Sequence, residues 1–254
     1  NRAHSGGRGP TGVNRSGASG RVGAIVTGRP RRVAITGLGL VTPLGNDAAT
    51  TWQALLAGRS GVAPITCFDA GGFPVRIAAE VKGFDPGTAI EDRKLLKFTN
   101  RYHRFALAAA EEAVRDAGIL PEKGTAVRWG CVVGSAMTTV EFAELEEVHR
   151  RFGVDGRLAV ERLGALGMAA ADPLAFCRSQ ANAGLSLFLR HFGIRGYASS
   201  VHTACASGGQ AVGTAMKLIR RGTSDFVLAG GFDSMLNPVG LAGFCILGAL
   251  SPDN

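Results

Sequence analysis

The chain lacks any run of 18 apolar residues, so it offers no transmembrane helix. It shows no positively charged segment leading into an apolar one at its start, so no secretory signal is read there. Cysteine is scarce: five residues, at 67, 131, 177, 205 and 245, with no CxxC pair. That spacing supports neither a metal site nor a disulfide framework. An odd number of thiols without a secretory signal fits a reducing, cytoplasmic setting. Acidic residues are absent from positions 1–30, which hold Arg2, Arg8, Arg15, Arg21 and Arg29; five of the chain's eight net positive charges therefore sit there. No aromatic side chain interleaves them, so the basic balance does not specify a nucleic-acid groove. Asn14-Arg15-Ser16 spells a glycosylation acceptor that carries no meaning without secretion.

What is present suits one large core. The 254 residues are 46% hydrophobic and include 37 Gly, enough to bury a sizeable apolar interior in one domain. Residues 1–30, rich in Gly, Ser and Arg with no apolar period, are expected to form a disordered basic leader or an upstream scar; a nucleic-acid or membrane arm is the alternative. Residues 31–254 form the domain.

The stretch around which the rest is arranged is Tyr197 to Arg221, YASSVHTACASGGQAVGTAMKLIRR. Small and β-branched residues lead into Cys205. After it, Ala211, Val212, Ala215, Leu218 and Ile219 recur at helical spacing. The expected layout is strand, tight turn, helix, with Cys205 at the helix start. Unpaired N–H groups and the positive end of the helix dipole stabilise a thiolate there, and the same N–H groups can receive the oxyanion of a tetrahedral intermediate. The alternative is a buried structural cysteine. His202 lies three residues earlier; strand alternation sets it opposite Cys205, as a satisfied structural histidine.

Elsewhere, Arg31–Thr36 is expected to be a first strand. The glycines after it do not form a dinucleotide fingerprint, because the GxGxxG spacing fails. Asp47–Ala57 reads as a helix with Asp47 as N-cap and Gly58 as stop. Val75–Val81 is a strand candidate, and Asp92–Ala117 one long helix ended by Gly118. Its first half carries Arg93, Lys94, Lys97, Arg101 and Arg104, either a solvated face or a docking patch for an acidic partner. Trp129–Gly134 reads as a buried strand, Val140–Phe152 as an amphipathic acidic segment, 153–177 as a loop-helix excursion, and Ser179–His191 as a helix. Asp225–Leu228 is expected to be another buried strand closed by Gly230-Gly231, and Asn237-Pro238 a turn.

Four segments in order, RRVAITGLGLVTPLGN (31–46), WQALLAGRSGVAPITCFD (52–69), HTACASGG (202–209) and DFVLAGGFDSMLNPVGLAGFCILGALS (225–251), resemble the β-ketoacyl-[acyl carrier protein] synthases of the thiolase superfamily. The resemblance corresponds to the N-terminal half of such an enzyme. It implies an α/β fold, the first half of a pseudo-duplicated, layered α/β/α/β/α domain. It implies Cys205 as the acyl-carrying nucleophile, and Met137, Phe176 and Phe244 near the acyl pocket. Met137 and Phe244 are otherwise ordinary core side chains. It also favours the basic segment (Lys94, Lys97, Arg101) as the dock for an acyl carrier protein. The implied reaction is acyl transfer to Cys205, decarboxylation of a malonyl thioester, and Claisen condensation, with no cofactor or metal.

In that family two His and a Lys of the C-terminal half serve the enolate, and none of the five His here matches them. A second oxyanion donor usually comes from that half as well. The expectation is that missing sequence or a second chain completes the site, that one half alone exposes a large apolar face, and that the protein is a homodimer or heterodimer. A non-catalytic chain-length partner, a thiolase, or a synthase starting chains from a CoA ester are the alternatives. The presence of Cys205 opposes the first; the TACASGG and GFCILGALS contexts oppose the other two.

Overall fold

The computed structural model describes residues 31–135 and 140–253. In chain order the elements are α1 (Ala48–Leu56), β1 (Val62–Pro64), β2 (Ile77–Ala79), α2 (Pro86–Ala89), a 3₁₀ turn (Arg93–Phe98), α3 (Arg101–Ala117), β3 (Trp129–Gly134), α4 (Phe142–Phe152), β4 (Gly153–Val154), β5 (Arg157–Leu158), α5 (Val160–Ala170), α6 (Pro173–Arg178), α7 (Ala183–Phe192), β6 (Ala198–Val201), α8 (Ser207–Arg220), β7 (Phe226–Gly231) and α9 (Pro238–Ile246). A parallel three-stranded sheet ordered β6-β3-β7 is the centre; β1-β2 and β4-β5 are small antiparallel pairs.

Alternation along β3 builds two cores. Trp129, Cys131 and Val133 point to one face, where Leu107, Ala110 and Val114 of α3 meet Phe188 and Phe192 of α7. Val132 points to the other, against Ala211 and Leu218 of α8. A strand sends successive side chains to opposite faces, so one six-residue segment holds helices on both sides. Leu107 is fully buried, worth about 1.5–3 kcal/mol against exposure. Burial also pushes the Cys131 thiol up to about 12, which makes it inert. Helices α3 and α7 are joined by a buried polar pair, His191 Nε2 to Glu111 Oε1 at 2.7 Å.

The end signals of α1 appear where the sequence puts them. The Asp47 carboxylate accepts the Thr50 N–H at 2.6 Å, and Gly58 takes φ +62°. The strand expected at Val75–Val81 is β2. Next to it Glu80 is buried and accepts from the Thr66 N–H (2.7 Å), the Thr66 hydroxyl (2.6 Å) and the Cys67 N–H (3.0 Å). Burial alone would raise its carboxyl, but these hydrogen bonds hold it at about 2.

Several expectations are corrected. Arg31–Thr36 is not a strand in the described structure. The extended chain beyond it lies on α3, where the Leu38 N–H donates to Asp116 and the Leu40 N–H to Glu112, both at 2.9 Å. Helix carboxylates thus take donors that a neighbouring strand would have used. Gly37 and Gly39 permit this, since a Cβ at either would strike the α3 backbone at Ala113 or Ala109. Asp92–Ala117 is two pieces, not one helix. Thr99 is extended and Asn100 starts α3 in a capping box with His103, so local side-chain bonding overrides a continuous apolar period. β7 is not buried at any position and contains Gly230-Gly231 instead of ending before them. Helix α7 begins at Ala183, four residues later than expected. Asn237-Pro238 is a helix start: the Asn237 side chain accepts the Gly240 N–H at 2.9 Å, and Pro238 occupies the first position of α9. The leader and Met137 lie outside the described residues.

Candidate active site

Cys205 sits where β6 ends and α8 begins, in a single 3₁₀ turn, Ala204–Ala206, running directly into the helix. Ala204 has φ +52°, a left-handed conformation that costs a non-glycine residue of order 1 kcal/mol. The chain thus reverses sharply just before the sulfur. Cys205 is exposed. No side chain caps α8, but the N–H groups just after the sulfur are not unpaired as the sequence suggests: Ala206 donates to the Thr203 carbonyl at 3.2 Å and Ser207, the first residue of α8, to the Ala204 carbonyl, so what the helix offers a charge placed before it is the positive end of its dipole.

Ser207 holds the turn. It is buried, its Oγ accepts the Thr203 N–H at 2.8 Å, and its hydroxyl lies 2.7 Å from the Ala204 carbonyl and 3.2 Å from the Ser135 carbonyl. One hydroxyl therefore ties the end of β3 to both residues preceding the cysteine. Close backbone approach makes it possible. A Cβ on Gly134 would strike the Ser207 backbone, and one on Gly231 would lie 2.8 Å from the Gly208 Cα. The CASGG run signals a turn in the sequence, but the roles of Ser207, Gly134 and Gly231 require β3 and β7 to be its neighbours.

The other expected site residues are spread out. Lys94 and Lys97 are exposed on the 3₁₀ turn, with Lys97 Nζ 5.0 Å from the centre of the Phe98 ring. Arg101, exposed, opens α3 and lies over the Phe105 ring at 5.5 Å. Phe176 is on α6, ahead of α7, and is 65% exposed; Phe244 is on α9 and 37% exposed. Two clefts, of about 450 and 610 Å³, are lined elsewhere, along the end of α7 and along α4.

The histidines have other duties. His202 Nε2 pairs with Ser200 Oγ at 2.7 Å. His103 is buried and accepts the Asn100 N–H through Nδ1; burial pushes it down to about 4, so it stays neutral. Among the described residues no three His, Cys, Asp or Glu side chains cluster to hold a metal, and no helix is long and apolar enough to cross a membrane.

A parallel sheet with helices on both faces and a cysteine at a strand-to-helix turn is the first half of a thiolase-like ketosynthase fold. Residues 30–254 match the family described as the beta-ketoacyl synthase N-terminal domain, and the chain belongs to it. It is 35% identical over 224 residues to the 3-oxoacyl-[acyl-carrier-protein] synthase 2 of Coxiella burnetii, covering 88% of this chain and 51% of that protein. Among solved structures it is similar to the ishigamide ketosynthase/chain length factor, with TM-score 0.74, 33% identity, and coverage of 89% of this chain and 53% of the other. It is also similar to a type II polyketide ketosynthase bound to a hexaketide and in complex with its acyl-carrier protein, with TM-score 0.68, 28% identity, and coverage of 89% and 51%. The chain spans about half the length of these relatives.

Proposed function

We propose that this chain supplies the nucleophilic half of an elongating β-ketoacyl-[acyl carrier protein] synthase, an acyltransferase of fatty-acid or polyketide synthesis. The observation that carries the reading is Cys205, exposed in the 3₁₀ turn that runs directly into α8. Its thiolate attacks the carbonyl of an acyl thioester, the tetrahedral oxyanion is stabilised by the Cys205 N–H and the positive end of α8, and the carrier's thiolate leaves and takes up a proton. A malonyl thioester then loses CO2, and the resulting enolate displaces Cys205 from the acyl group to give the β-ketoacyl product. The enolate requires donors that no histidine described here is placed to give, so the condensing step draws on residues outside this chain's fold. Lys94, Lys97 and Arg101 offer an acidic carrier protein a positive surface. Phe176 and Phe244, with Met137, contribute to the acyl pocket. Exposed Val160, Leu166 and Met168 in the 153–177 excursion suit a dimer contact, and a cytoplasmic location belongs to the same reading.

The test uses three exposed thiols in one molecule. Cys67 and Cys177 are exposed like Cys205, so access alone does not distinguish them. Incubation with an acyl-carrier thioester, followed by peptide mass spectrometry, is expected to place the acyl group on Cys205, and Cys205→Ser to abolish it. Equal labelling of the three would reduce Cys205 to a surface thiol. Loading from the carrier in preference to acyl-CoA separates an elongating from a chain-starting enzyme.

A further inference from the structure

We propose that Arg178 is a positioning residue that fixes the basic turn against α4 and α6, so that a carrier protein docked on Lys94, Lys97 and Arg101 meets a preformed surface. The inference rests on the docking role given above to those three residues. Arg178 ends α6, and its side chain is only 17% exposed. Its Nη1 donates to the Lys97 carbonyl at 3.1 Å. Its Nη2 donates to Glu144 Oε1 of α4 at 2.6 Å and reaches Asp172 Oδ2, at the start of α6, at 3.4 Å. Its own carbonyl accepts from Asn100 Nδ2 at 3.4 Å, at the start of α3. One side chain and its peptide therefore join the basic turn, α4, both ends of α6 and the start of α3.

The turn needs such a tie. A 3₁₀ run of six residues is longer than its hydrogen-bond geometry favours, and Lys97 is in its last turn. Its carbonyl is held by a guanidinium that is itself anchored to a carboxylate on another helix. A planar guanidinium donates to the carbonyl and the carboxylate from two separate nitrogens in fixed directions, whereas a lysine ammonium would have to reach both from one nitrogen on a flexible stem. Glu144 Oε2 is buried without a hydrogen-bond partner, so Arg178 is what balances that carboxylate. The docking surface is thereby set from beneath by a residue that no carrier need touch.

The measurement is steady-state condensation by the whole synthase with a malonyl thioester held constant and saturating, the varied substrate being an acyl-carrier thioester and, separately, the same acyl group on free pantetheine. Arg178→Lys is expected to raise KM for the carrier thioester roughly tenfold at nearly constant kcat, the mark of lost uniform binding, and to leave the pantetheine thioester unchanged. Because loss of Arg178 alone can unfold the region by stranding Glu144, the paired change Arg178→Met with Glu144→Leu removes both charges and is expected to give the same split. Equal loss on both substrates would make Arg178 merely structural, and no change on either would overturn the proposal. Charge reversal of Lys94 and Lys97 is the companion arm. If it raises the carrier KM while Arg178→Lys does not, the positioning role falls and the docking role stands. If it leaves the carrier KM unchanged, the docking role falls and takes the positioning role with it.

Discussion

Strands β3 and β7 are both six residues long, both glycine-containing and apolar, and paired in parallel from Trp129–Phe226 to Gly134–Gly231. Yet β3 is buried at every position and β7 at none. Composition does not separate them; place in the sheet does. β3 has a strand on each side, α3 and α7 over one face and α8 over the other. β7 pairs only with β3 among the described residues. An apolar run equips a strand for burial, and its neighbours decide whether burial occurs.

The contrast is broken most strongly at its glycines. Gly134→Ala drives a Cβ into the Ser207 backbone, whereas a Cβ at Gly230 meets nothing within 4 Å. The first is expected to cost about 3 kcal/mol or more in urea unfolding, because rigid backbone must move, and the second to stay within about 0.5 kcal/mol. Gly134→Ala should also slow acylation of Cys205, since it displaces the turn that holds the sulfur. Equal tolerance at both sites would mean that α8 does not rest on the end of β3 as described.

A smaller difference is expected between apolar side chains of the two strands. Val132 is fully buried under α8, while Val227 is a partly buried neighbour of the same cluster. Val132→Ala should cost about 2 kcal/mol, from lost transfer energy plus a cavity, and Val227→Ala about half that or less. Matching losses would place β7 under more cover than its own exposure indicates.

The smallest effect sharpens the comparison on the covered side of β3, at the His191–Glu111 pair. The hydrogen bond to Glu111 raises the His191 pKa above its ordinary 6.5, against burial and with help from the charges of Glu111, Asp92 and Glu91. A raised folded value means the contribution is complete below pH 6.5 and is lost as pH climbs through that higher value. The free energy of urea unfolding should fall by about 1 kcal/mol more between about pH 6 and about pH 9 than in His191→Gln. A profile unchanged by the substitution would remove the pair from the stability of the α3–α7 packing.

Local features were legible wherever a residue carries its own constraint. Asp47 and Gly58 bound α1, Gly118 ends α3 in the left-handed conformation, and the small residues after Cys205 announce a turn before a helix. Errors arose where two local solutions compete and distant groups choose. Thr99-Asn100 breaks an otherwise periodic segment because Asn100 and His103 satisfy each other's backbone donors. Arg31–Thr36 looks like a strand but pairs with none among the described residues, and the chain just after it is tied instead to Asp116 and Glu112, more than seventy residues away, by the Leu38 and Leu40 N–H groups. Arg178 drew no attention in the sequence because its partners at 97, 100, 144 and 172 share no spacing with it.

The order of residues alone determined that a cysteine would stand at the mouth of a helix and that Trp129–Gly134 would form a strand fit for the interior. Those facts depend on side-chain size, backbone freedom and apolar period within a few residues. Which strand became central, which loop the Ser207 hydroxyl would brace, and which lysines share an arginine anchor were decided only by tertiary structure. Each of these depends on groups far apart in the chain being brought within hydrogen-bond or van der Waals reach.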